Sequence, residues 1–176
     1  MVTTIEKEEL IEYKASLFLG SIQADSDNWA EVLSPYDGSL VGTYQVPSPD
    51  QIEIALQSVT EGFASIASLS AARRAQILER TSQLILENTE ELAKLICLEV
   101  GKPIKQARIE VKRAADVVKL SAEEALRIGG EVVPLARQES NSNRLATLTY
   151  QPIGPVLAIT PFNFPLSTVV HKVAPA

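Results

Sequence analysis

The run "IGPVLAITPFNFPLSTVVHKVAPA", residues 153–176, constrains the fold more than any other stretch. Pro155–Thr160 is continuously apolar. That is the pattern of a strand in a parallel sheet covered on both faces, not of a half-exposed strand with alternating character. Pro161 and Pro165 break the run. "LSTVVHKVAPA" then reads as the start of a helix with Pro165 at its first position. Strand, turn and helix make the first half of a βαβ crossover. A lone parallel strand cannot satisfy its own main-chain N–H and C=O groups, so it demands neighbours. No second parallel strand is evident in the 176 residues. The expectation is that the sequence is one portion of a longer polypeptide, or that another chain supplies the partners.

Upstream, the period changes at Ser48. Residues before it read as short strands: Ser16–Gln23, Asn28–Leu33 and Leu40–Val46. Between the last two lies the turn "SPYDGS", where Asp37-Gly38 gives a strong hairpin signal. "SPDQ" from Ser48 has the form of a capping box with proline at the first helical position. Ile52, Ala55, Val59, Phe63 and Ile66 follow at helical spacing. A second helix is expected from near Ser70, with Ile77, Leu78, Thr81, Leu84 and Ile85 on one face. A third begins at Asn88 or Thr89, has Glu90 and Glu91 in its first turn, and stops at Gly101. The fourth is long. Its seam of Ile104, Ala107, Val111, Ala114, Val118, Ser121, Ala125 and Ile128 contains small residues that permit close helix packing, and Gly129-Gly130 ends it. Residues 131–143 read as polar and exposed. Arg144–Pro152 alternates imperfectly, as a half-buried strand with no evident hairpin partner.

Composition narrows the function. Net charge is −6, so no broad basic surface for nucleic acid is expected. Apolar runs fall well short of the ~20 residues a membrane span needs. The acidic start "MVTTIEKEELIEYK" lacks the apolar region of a secretory signal. A single cysteine, Cys97, forms no internal disulfide and suits a reducing compartment, so the expected location is cytoplasmic. A single histidine, His171, argues against a zinc site of Cys/His type, and no metal is expected.

"IGPVLAITPFNFPLSTVVHKVAPA" closely resembles the aldehyde dehydrogenase superfamily. There, a strand ending in proline-aromatic-asparagine-phenylalanine-proline opens the dinucleotide-binding sheet. "SPYDGSLVG" is similar to the family's N-terminal hairpin. "LICLEVGKPIKQARIEVKRAADVVKLSAEEALRIGGEVVP" is similar to its third and fourth helices and the following loop. Phe162, where many members have tryptophan, together with "HKVAPA" leans toward the branch of lactaldehyde and non-phosphorylating glyceraldehyde-3-phosphate dehydrogenases.

The resemblance implies an α/β fold: the N-terminal part of an aldehyde-dehydrogenase-like cofactor domain, helix-rich, with the doubly wound sheet incomplete. Residues 1–133 would form the hairpin and four helices, 134–152 an oligomerisation strand, and 153–176 the first strand and helix start of the dinucleotide sheet. The catalytic domain would be absent. The implied reaction is oxidation of a small-molecule aldehyde to a carboxylic acid. A cysteine thiolate attacks, hydride passes to NAD or NADP, and a glutamate-activated water hydrolyses the thioester. Asn163 would stabilise the oxyanion. Ile159, Thr160, Pro161 and Phe162 would approach the nicotinamide ribose, and Arg113 would bind a substrate phosphate. Arg144–Pro152 would join subunits of a homo-oligomer. The nucleophilic cysteine and the glutamate base have no counterpart here, so the 176 residues alone are expected to be inactive and to need the C-terminal portion.

Plainer readings of single residues stand beside these. Cys97 lies at helical spacing with Ala93, Val100 and Ile104 and reads as structural. His171 has no triad partner in sequence and reads as a structural or surface histidine. Without the resemblance, Asn163 could merely hold a turn. Gly129-Gly130 is a helix stop, not a phosphate loop. Two further function classes stay open: a non-catalytic oligomerisation module, and one half of a split enzyme.

Overall fold

The computed structural model describes residues 13–20, 22–135, 139–141 and 143–176. Its N-terminal part is a small mixed sheet. Strands β4 (Trp29–Leu33) and β5 (Leu40–Gln45) pair antiparallel, and β1 (Tyr13–Ala15) adds parallel to the other edge of β5. The turn between β4 and β5 is held as its sequence predicts. Ser34 O accepts from Gly38 N at 2.8 Å. Asp37 Oδ1 accepts from the Ser39 hydroxyl and amide, and these bonds lower its pKa. The stretch 16–23 is not one strand but a hairpin of β2 (Leu17–Leu19) and β3 (Ile22–Ala24). It reverses at Gly20, whose φ of 66° is readily available to glycine and rare for other residues.

Helix α1 (Pro49–Ala67) starts with the full capping box: Ser48 Oγ accepts from Gln51 N, and Gln51 Oε1 accepts from Ser48 N. Helix α2 (Ala71–Glu87) is capped by Ser70. Helix α3 (Thr89–Val100) has no side-chain cap, because Asn88 Nδ2 donates backwards to Leu84 O. It ends at Gly101 in the left-handed region, φ 66°. The chain then turns through Lys102-Pro103 into the 24-residue α4 (Ile104–Arg127).

Helix α4 is the spine. Ala107, Val111, Ala114, Ala115, Val118, Ala122 and Ala125 are all buried. Alanine at the contact lets helix axes approach closely, and three helices use that groove. From α2, Ala75, Leu78 and Ile85 pack on it, and the buried Ser82 hydroxyl donates to Ala115 O at 2.8 Å. From α3 come Ala93, Ile96 and Val100, and an exposed Arg108–Glu90 fork links the same two helices. The short α5 (Ser167–Val173) contributes Val170 against Ala114 and Val118.

Several expectations change. Ile104 and Ile128 are exposed, outside the seam. Ile128 leaves the helical conformation, ψ 110°, and instead lines a groove of about 750 Å³ between α1 and residues 150–156. No residue of α1 is buried; its stripe of Val59, Phe63 and Ile66 lines the same groove. On α2 the buried face runs through Ala75 and Ser82, leaving Ile77 and Leu84 exposed. The segment read as polar loop contains β6 (Glu131–Val133), and this is the hairpin partner of β7 (Ala146–Leu148). Three residues between Gly130 and Pro134 are too few to show a period, so the pairing was hidden. Helix α5 begins after Leu166, so Pro165 precedes it instead of opening it. Val170 is buried, although its neighbours Val169 and Val173 are exposed.

Residues 155–160 form no ladder, and Leu157 and Ile159 are 84% and 75% exposed. This is the behaviour expected of an inner strand without neighbours. The helix-rich α/β fold therefore stands with its sheet open. Among the described residues, no helix is long and apolar enough to cross a membrane.

Two substitutions test this arrangement by urea denaturation. Ser48→Ala should cost about 1 kcal/mol through loss of the cap. Ala114→Leu should cost about 1–3 kcal/mol by forcing α4 from its neighbours. The bare apolar segments should also make the folded chain bind a hydrophobic dye. A monodisperse protein that leaves the dye dark would contradict that exposure.

Candidate functional site

The sequence between the apolar run and α5 is rigidified by its own residue types. Pro161 and Pro165 fix φ at two of five positions. The Thr168 hydroxyl lies within hydrogen-bonding distance of both Pro161 O, 3.1 Å, and Phe164 O, 2.8 Å. Asn163 stands exposed in this turn, next to Phe162, which is also exposed.

The turn is held on α4 by a buried carboxylate. Glu110 is a charged residue in the seam of small apolar ones, with its side chain only 1% exposed. Its Oε1 accepts from Leu166 N at 3.1 Å and Ser167 N at 3.2 Å, and its Oε2 pairs with Lys102 Nζ. Lys102 projects from the α3–α4 connection. Its ammonium also donates to Asn163 O at 3.1 Å and lies 3.9 Å from the centroid of the Phe164 ring. A buried carboxylate is tolerated only when charge and lone pairs are matched, and here both oxygens are.

Above this contact opens a cleft of about 380 Å³. Lys102, Gln106, Arg113, Phe164, Thr168 and His171 are among the residues that line it. Helix α4 presents Gln106, Ile109, Glu110 and Arg113 on its cleft side, one turn apart. Helix α5 presents Ser167, Thr168 and His171. Arg113 gives the cleft a cationic side chain that suits an anionic group, whereas the charge of Lys102 is matched by Glu110.

Of the residues singled out in sequence, Arg113 lines the cleft. Asn163 belongs to the turn that borders it, tied through its carbonyl. Residues 159–162 form the approach to the turn, exposed except for the half-buried Thr160. His171 is a surface residue on the cleft wall. Cys97 is half-buried within α3. Sequence reading missed Lys102 and Glu110. Glu110 had one signal: it occupies a helical position three after Ala107 and four before Ala114, where a solvated glutamate would not fall. Burial raises the Glu99 carboxyl, and the Arg108 guanidinium lowers that of Glu90. Among the described residues, no cluster of three potential metal ligands occurs.

The sequence profile described as aldehyde dehydrogenase family matches residues 22–176, and the chain belongs to that family. It is 43% identical over 146 residues to aspartate-semialdehyde dehydrogenase 1 of Pseudomonas canavaninivorans, covering 83% of this chain and 31% of that protein. Its fold is similar to the crystal structure of aldehyde dehydrogenase 21 from Physcomitrella patens in complex with the reaction product succinate. There the TM-score is 0.88 and the identity 34%, over 93% of this chain and 34% of that one. The NADP-dependent glyceraldehyde-3-phosphate dehydrogenase of Bacillus halodurans C-125, solved with NADP, gives a TM-score of 0.87 and 29% identity, over 93% and 35% of the two chains. The chain thus spans about a third of the length of these relatives. Relatives at comparable likeness carry different substrate names, so likeness does not single out one branch.

Replacing Glu110 by alanine leaves the Lys102 ammonium and two backbone N–H groups without their acceptor. Urea denaturation should show a loss of about 3 kcal/mol, the usual cost of breaking one side of a buried pair. A loss no larger than that of an exposed glutamate would mean the contact is not formed in solution.

Proposed function

We propose that the protein carrying this chain oxidises an aldehyde to its carboxylic acid with NAD or NADP, through a cysteine thioester. The 176 residues would supply the N-terminal part of the cofactor-binding domain, with 134–152 as an excursion for subunit contact. The observation that carries this reading is membership of the aldehyde dehydrogenase family across residues 22–176.

In this reading Asn163 donates its side-chain amide to the oxyanion that develops when a thiolate adds to the aldehyde. The exposed Asn163, beside a cleft able to admit a small molecule, is consistent with that role. Residues 159–162 would hold the nicotinamide ribose. Phe162, exposed beside Asn163 in the turn, presents an apolar face that suits such a ligand. When bound, the nicotinamide supplies the hydride acceptor. Arg113 would bind an anionic substituent of the substrate, such as the phosphate of glyceraldehyde 3-phosphate, and His171 shares its cleft. With Phe162 in place of tryptophan, this favours the lactaldehyde and non-phosphorylating glyceraldehyde-3-phosphate branch. The thiolate and the general base would come from sequence outside these 176 residues. Cys97, half-buried within α3, is not offered as the nucleophile.

A second reading has one observation in its favour. The β6–β7 ribbon exposes Val132, Leu145, Leu148 and Tyr150, as an assembly module would. A discrete oligomer of the 176-residue chain, with no dehydrogenase encoded in continuity with it, would select that reading.

The test is turnover. Express the 176-residue chain and, separately, the complete reading frame that contains it. Supply neutral and anionic aldehydes with NAD or NADP, and follow reduced nicotinamide. The complete protein should turn over and the short chain should not. Asn163→Ala should lower kcat by about 10²–10³-fold. Arg113→Gln should raise KM for anionic aldehydes selectively, leaving neutral ones near the parent value. A complete protein that oxidises no aldehyde would sink the reading.

A further inference from the structure

We propose that Lys102 and Glu110 are positioning residues for Asn163: they clamp residues 163–167 onto α4 and thereby set where the Asn163 amide stands. This rests on the reading of Asn163 as an oxyanion donor.

The clamp is specific in its targets. Glu110 takes a seam position between Ala107 and Ala114, where its neighbours are small and apolar. A carboxylate at such a place is unfavourable unless fully paired. Its partners in the structure are two backbone amides, Leu166 and Ser167, and the Lys102 ammonium. Leu166 adds apolar contact with both the α3–α4 cluster and the α4–α5 cluster. Apolar contact holds the segment against α4 but tolerates sliding. Hydrogen bonds from fixed backbone amides to one buried carboxylate do not.

Lys102 separates this from ordinary helix capping. Capping α5 requires only the two bonds from Leu166 and Ser167. Lys102 reaches further back, to the carbonyl of Asn163 and the ring of Phe164. One ammonium thus joins the capping carboxylate to the backbone of Asn163. The placement matters because an oxyanion donor works only within about 2.7–3.1 Å of the developing charge. Misplacement by about 1 Å can cost on the order of 10²-fold in rate.

Two experiments test this. In the complete dehydrogenase, K102M should lower kcat about 10- to 100-fold, with KM for NAD or NADP within about twofold of the parent. K102R should recover most of the loss, since a guanidinium can also bridge a carboxylate and a carbonyl. E110Q keeps an acceptor for the two amides but gives up the charge that holds Lys102, so it should also lower kcat. The E110Q/K102M double variant should be no worse than K102M, as expected for residues that act through one contact. An unchanged kcat in K102M overturns the proposal. So does a loss confined to KM for the aldehyde, which would make Lys102 a substrate contact.

The second experiment does not depend on turnover. In the 176-residue chain, amide hydrogen exchange at Leu166 and Ser167, whose N–H groups donate to Glu110, should be at least about tenfold faster in K102M, while α2 and α3 keep parental rates. Equal rates at Leu166 and Ser167 overturn the clamp. A complete protein that folds but oxidises no aldehyde would refute the dehydrogenase reading and leave the exchange result to decide the clamp.

Discussion

Close approach to α4 is the constraint on which the rest of the molecule depends. Five alanines on its buried seam remove the side-chain bulk that would hold other helices at ordinary distance. Helices α2, α3 and α5 all exploit that space. The seam is also where polar matching is strictest, because a close-packed interior offers little water to an unpaired group. Ser82 meets the requirement with a carbonyl of α4. Glu110 meets it with two amides and an ammonium. The candidate site is thus not added to the surface of a finished core. Its support is a charged residue in the core, matched by the segment it presents.

The fold was legible where a local rule suffices. Ser48, Pro49 and Gln51 specify the start of α1 by chemistry contained in four residues. Gly101 specifies the end of α3 by a dihedral that few other residues adopt readily. The α4 period survives because a 24-residue helix repeats its pattern many times. Burial was less legible. The stripe on α1 is as regular as that on α4, yet it is only partly covered and lines an open groove opposite residues 150–156, because a period reports an apolar face and not its partner. Strand β6 is too short to display alternation, so the pairing of β7 could be found only in three dimensions.

The site divides in the same way. The turn was visible through Pro161, Asn163 and Pro165, residue types with narrow conformational ranges. The gathering of Arg113 and His171 on one cleft was not, since it follows from how α5 crosses α4. Lys102 lies in a helix connection, where a lysine is ordinarily solvated, and nothing local marks it as the partner of a residue 61 positions later. Family resemblance suggested the roles proposed for Asn163, Arg113 and residues 159–162. It did not supply the contacts that hold the turn.

The distance in sequence between the carboxylate and its amides has a consequence for tolerated change. Receptor and docking segment lie 56 positions apart in sequence, and much of the chain between them is the second half of α4 and the β6–β7 ribbon. Closing a flexible loop costs free energy only with the logarithm of its length, about 0.6 kcal/mol for each doubling. The connection between β6 and β7 can therefore grow or shrink by several residues while the anchor point keeps its hold. Diversification of that outer ribbon is decoupled from the geometry beneath the cleft.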